Sequence, residues 1–90
     1  MKIVINRQYG GFDLSEEAMQ EYCKRKGLSS IARWDIQRDD PVLVELVETM
    51  PNAGGKYSIL KVVEVPNDVD WVLEEYDGLE WIGERHRTWS

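Results

Sequence analysis

An Asp-Gly pair set between two aromatic runs constrains this chain more than any other feature. Trp71 to Tyr76 and Glu80 to Glu84 flank Tyr76-Asp77-Gly78-Leu79. Asp-Gly suits the two-residue turns whose twist matches that of paired strands, so the segment reads as a β-hairpin. A rival pattern makes Asp68 to Glu75 a helical turn, opened by Pro66-Asn67-Asp68 as its cap.

The rest of the chain must cover that hairpin. Lys2-Ile3-Val4-Ile5-Asn6 is a short β-branched run and reads as a strand, broken by Gly10-Gly11. A helix follows from Leu14. Ser15 is its expected N-cap, Glu16 and Glu17 suit the positive helix end, Lys24-Arg25-Lys26 suit the last turn, and Gly27 suits the C-terminal cap. Leu14, Ala18 and Tyr22 share the apolar face. In 28–38, Ile31, Arg33, Trp34 and Ile36 fit a short edge strand or a loop. Asp40 as cap with Pro41 at the first helical position starts a second helix, with Leu43, Leu46, Val47 and Met50 on one face. Pro51-Asn52-Ala53-Gly54-Gly55 ends it. Tyr57 to Val65 alternates as a strand. The pattern predicts one α+β domain over 1–90, in the order β-α-(β)-α-β-β-β. Its small, mostly antiparallel sheet carries both helices on one face.

Composition narrows the function classes. Eleven Lys and Arg against seventeen Asp and Glu leave a net charge of -6, which argues against general nucleic-acid binding. No apolar run approaches a membrane span, and no signal-peptide core follows Met1. A single Cys suits a reducing compartment, and one Cys with one His gives no basis for structural zinc. Four Trp and four Tyr exceed what the core of 90 residues easily hides. Some of them are expected at a pocket or a subunit interface, with a symmetric homo-oligomer as the default.

Lys2-Ile3-Val4-Ile5-Asn6-Arg7, Tyr9-Gly10-Gly11-Phe12 and Leu14-Ser15 resemble the opening of a family of small phage and prophage proteins, with relatives in large DNA viruses. The resemblance continues at Arg38-Asp39-Asp40-Pro41 and Leu60 to Pro66. It returns at Glu75-Tyr76-Asp77-Gly78, Glu80 and Glu84-Arg85-His86-Arg87-Thr88-Trp89, and so covers nearly the whole chain. The family brings no activity with it. The resemblance implies a context: a phage-encoded accessory protein in the cytoplasm of a bacterial host. By analogy with other small phage proteins, it would block a host defence, by binding a defence protein or by sequestering a nucleotide signal.

Four constellations can carry chemistry. The first is Asn6-Arg7-Gln8-Tyr9-Gly10-Gly11-Phe12, between a strand and a helix start. Two Gly let backbone approach a ligand, Arg7 suits a phosphate, and Tyr9 or Phe12 suits a base. The spacing matches neither a Walker loop nor GxGxxG. The plain alternative is a tight turn with Phe12 in the core. The second is the tail, where His86, Arg87 and Trp89 can hold a phosphate and stack on a base, or form a solvated last strand. The third joins Arg33, Trp34 and Arg38 to Asp39 and Asp40; capping accounts for the acids, and Arg38 can pair with them. The fourth is the acidic run Glu74, Glu75, Asp77, Glu80 and Glu84, which suits a solvated face better than a metal or an acid–base pair.

Nucleophilic catalysis has little support. Cys23 lies among apolar neighbours, Ser15 serves as a cap, and spacing gives His86 no partner. The expected function is therefore non-catalytic, without cofactor or metal. A nucleotide-type molecule would be bound by Asn6, Arg7, Tyr9, Gly10, Gly11, Phe12, Arg38, Trp81, His86, Arg87 and Trp89. The alternative is an acidic protein–protein inhibitor, or a virion or replication accessory, using the hairpin 74–84. A small hydrolase using His86 and a Glu is the third class.

Overall fold

The computed structural model describes residues 1–84. The elements run β1 (Lys2–Asn6), α1 (Glu16–Lys26), a 3-10 turn (Arg33–Asp35), α2 (Pro41–Thr49), β2 (Leu60–Glu64), β3 (Trp71–Tyr76) and β4 (Leu79–Glu84). This is an α+β fold, as the pattern predicts. The edge strand considered for 28–38 is a 3-10 turn instead. The strand expected from Tyr57 begins only at Leu60, because Lys56 and Tyr57 form a turn closed by the Ser58 N–H donating to the Gly55 carbonyl at 3.1 Å. The rival helix over 68–75 does not form; Trp71 onward is extended.

Local chemistry accounts for both helices. The Ser15 Oγ accepts from the Ala18 N–H at 3.2 Å, and Gly27 closes α1 in the left-handed conformation. The Asp40 carboxylate accepts from the Val42 N–H at 2.8 Å, capping α2 ahead of Pro41. Asp40 also joins the helices. It accepts from the Tyr22 hydroxyl at 2.6 Å and pairs with the Lys26 ammonium at 3.0 Å.

Burial alone would raise the Asp40 pKa, but the bonds from Tyr22, Lys26 and the Val42 N–H outweigh it and hold the carboxyl below its ordinary value. A carboxyl that is more acidic in the folded state adds stability above its unfolded pKa. That contribution is lost as pH falls through the folded value. The chain should therefore lose stability below about pH 4. Tyr22→Phe, which removes one of the bonds holding the carboxyl down, should lose less stability than the parent between neutral and acid pH. Urea unfolding at pH 7 and pH 3 checks this, and an equal loss in both proteins would contradict it.

The strands do not form the single sheet expected. They form two antiparallel ribbons, β1–β2 and β3–β4. β1 is buried on both faces. Val4 points into a core with Ala18, Tyr22, Leu43 and Leu46, while Ile3 and Ile5 meet Val65, Trp71, Leu73 and Ile82 of the second core. The layers are thus helices, the β1–β2 ribbon, and the hairpin. The hairpin crosses over β1 without pairing with it, because other groups take β1's outward N–H bonds. The Val4 N–H donates to the Arg38 carbonyl, and the Asn6 N–H donates to the Glu80 carboxylate, both at 2.8 Å. A side chain thus does at Asn6 what a neighbouring strand would otherwise do.

Candidate functional site

Two features converge where the hairpin meets β1. The first is a clasp around Glu80. Its register partner in the hairpin is Glu75, and two acids directly opposite each other are unfavourable unless each finds a partner. Both do. Glu75 accepts from the Gly78 N–H at 2.8 Å. Glu80, only 4% exposed, takes both guanidinium nitrogens of Arg38, one at 2.8 Å, as well as the Asn6 N–H. The fork-to-fork geometry is the strong form of an ion pair. Arg38 also lies over Phe12, its guanidinium carbon 3.7 Å from the ring centre.

Asn6 extends the clasp. Fully buried, it donates from Nδ2 to the Gln8 and Gly78 carbonyls, both at 2.7 Å, and its Oδ1 accepts from the Ile59 N–H at 3.0 Å. The Gly10 N–H donates to the Asp77 carbonyl at 3.0 Å. The glycine loop and the hairpin turn therefore hold one another. The solvated reading of the acidic run fails at Glu80, and Arg38 pairs with that residue rather than with Asp39 or Asp40.

The second feature is a groove of about 430 Å³ beside the clasp. β4 packs over β1, whereas neither hairpin strand packs on β2, so half of the ribbon's hairpin-side face stays open. Ile5, Val63 and Val65 form the floor, and Trp81 and Ile82 form the wall. Arg7 and Lys61 stand at the groove. Neither pairs with a carboxylate among the described residues. Arg7 spends one N–H on the Glu80 carbonyl at 2.8 Å and keeps its other donors. Trp81 is 39% exposed, and its indole N–H donates to Glu74 across the hairpin at 2.9 Å, which fixes the ring. Glu64 also lines the groove, but Lys2 lies directly opposite it on β1.

The predicted site residues thus divide. Asn6, Gly10, Phe12 and Arg38 are taken up by the clasp, and Gly11 lies against it, its N–H next to Gly78. Arg7 and Trp81 meet at the groove. Tyr9 is 60% exposed. His86, Arg87 and Trp89 lie outside the described residues. Sequence reasoning missed Lys61, an isolated cation inside an apolar strand with no motif around it.

Among the described residues no helix is long and apolar enough to cross a membrane, and no three His, Cys, Asp or Glu side chains are grouped to hold a metal ion. No protein-family model, curated protein or solved structure matches this chain.

Proposed function

We propose that this chain is a non-catalytic binding protein that takes a nucleotide-type anion into the groove between β2 and β4. In the phage context that the resemblance implies, it would act in the bacterial cytoplasm by sequestering a nucleotide signal of a host defence. One observation carries the reading. In an acidic protein, two cations without carboxylate partners among the described residues, Arg7 and Lys61, stand beside a half-exposed tryptophan whose ring is fixed. Cations without acidic partners suit phosphate oxygens, and a fixed indole offers a stacking face for any base.

The direct test incubates the folded protein with lysate of infected, defence-active bacteria, then heat-denatures it and analyses what is released by mass spectrometry. An intact nucleotide near one per chain, or one per two chains, supports sequestration. A converted product points to an enzyme, and nothing released sinks the reading. With ADP as a probe, calorimetry should show Trp81→Ala and Lys61→Ala weakening binding on the order of tenfold each. Unchanged affinity in both variants would remove the groove as the site.

The alternative, an acidic protein–protein module, draws on the exposed run Glu74–Asp77 at the hairpin end. Its complex with a basic partner would weaken steeply with salt and would be indifferent to Lys61→Ala.

A further inference from the structure

The groove's open side coincides with an unpaired strand edge. In the β1–β2 ribbon the Arg7 N–H donates to Ile59 and the Val65 N–H donates to Met1, so odd-numbered residues of β2 face β1. Leu60, Val62 and Glu64 therefore point their N–H and C=O groups away from β1. Among the described residues nothing bonds to them. The segment Leu60–Glu64 has no proline or glycine to blunt that edge.

We infer that a second copy of this chain docks here, β2 against β2, antiparallel about a two-fold axis at Val62. Pairing Leu60 with the second copy's Glu64, and Val62 with its own counterpart, satisfies all three residues on both sides with about six backbone hydrogen bonds. The charges favour this direction. Lys61 meets Val63 and Glu64 meets Leu60 of the other copy, whereas parallel in-register pairing would put like charges together.

The two-fold axis stands perpendicular to the joined sheet, so both hairpins rise from the same face. The two half-open grooves become one trough. Its floor is β1–β2–β2–β1, and its walls are the two β4 strands, each lying over a β1 about 14 Å from the other, three strand spacings away. Each wall carries Trp81, and each half carries Arg7 and Lys61. Such a trough takes a ligand with two bases and at least two phosphates, one base for each indole. This deepens the proposed function, and it rests on that reading for the ligand though not for the pairing. Strand pairing alone is a small interface, so the free protein should associate weakly and the ligand should tighten it.

The test combines sedimentation velocity with amide hydrogen exchange, using the full chain, ADP and cyclic di-AMP as probes. Without ligand, mass should rise towards two chains as concentration approaches about 0.5 mM, a range typical of weak interfaces. The amides of Leu60, Val62 and Glu64 should gain protection together over that range, while those of Lys61 and Val63 stay as they were. Cyclic di-AMP should bind once per two chains and bring dimerisation at least tenfold lower in concentration. Glu64→Pro removes an outward N–H and leaves the β1 ladder whole, so it should keep the parent's circular dichroism and lose the dimer. A single-chain mass with unprotected even-numbered amides, even at saturating cyclic di-AMP, overturns the pairing, and ADP binding would then still leave the groove reading standing. Concentration-dependent pairing with no binding of either probe overturns the two-base ligand and leaves the edge-to-edge dimer. If Glu64→Pro fails to fold, exchange in the parent protein decides.

Discussion

Replacing Glu80 by alanine is expected to cost about 3–5 kcal/mol, the range seen when one partner of a buried ion pair is removed. Arg38 would keep its charge with only 17% of its side chain exposed, and the Asn6 N–H would lose its acceptor. A 90-residue domain has a total stability on the order of 5–15 kcal/mol, so this one change should remove a large part of it. Glu80→Gln should cost less, because its amide oxygen still accepts from Asn6. The pair itself is read from a double-mutant cycle. Arg38→Met alone strands the Glu80 carboxylate, and Glu80→Gln alone strands the guanidinium. Together they strand neither, so the double variant should be more stable than the sum of the single losses by about 1.5–3 kcal/mol. Guanidinium unfolding of the four proteins gives the answer. Additive losses would mean that Glu80 acts only through Asn6, and that Arg38 is held by Phe12.

The same pair shows what was legible in the sequence. The hairpin, both helices and their caps follow from short-range rules at Asp77-Gly78, Ser15, Gly27 and Asp40-Pro41, and each forms where those rules put it. The relation between the ribbons is not short-range. Whether β4 pairs with β1 or crosses over it depends on what satisfies β1's outward N–H groups. The answer comes from Arg38 and Glu80, which lie 42 positions apart in the chain. Glu80 stands in an acidic run and reads as solvated. Only the register that sets it opposite Glu75 shows that each of the two needs a partner of its own. Arg38 likewise reads as a partner for the aspartates beside it, yet Asp40 is occupied by Tyr22 and Lys26. The groove was half legible. Arg7 and Trp81 stand out as a cation and an aromatic in conspicuous segments. Lys61 does not, since a lone lysine in an apolar strand reads as a solvated side chain, and only the uncovered face of β2 sets it at the groove.

Gly78→Ala is expected to be the other change the fold cannot absorb. Asp77 and Gly78 have φ of 50° and 91°, both positive, as a two-residue hairpin turn requires. Aspartate tolerates this conformation. Alanine at 91° is strained, at about 1–3 kcal/mol. The larger effect is contact. A β-carbon at Gly78 would lie 2.1 Å from the Gly11 nitrogen and 2.7 Å from the Gly10 nitrogen, and both are backbone atoms. No side-chain rotation relieves that. The turn would have to leave the glycine loop, breaking the Gly10 bond to Asp77 and the Asn6 bond to the Gly78 carbonyl. Overpacking of this kind adds about 1–3 kcal/mol, and each stranded polar group adds about 1–3 more. Gly78→Ala should therefore unfold the chain, or let the hairpin detach while the helices stay. Amide exchange separates these outcomes. Loss of protection confined to β3 and β4 means the clasp holds the hairpin as an independent unit. Loss throughout means the hairpin-side core of Ile3 and Ile5 is needed for the helical side to fold. Parent-like protection in β3 and β4 would show that the loop and the turn do not bear on one another. Gly11→Ala is the control: its β-carbon would meet no atom within 4 Å, so only the backbone strain of φ 99° remains and the loss should be the smaller of the two.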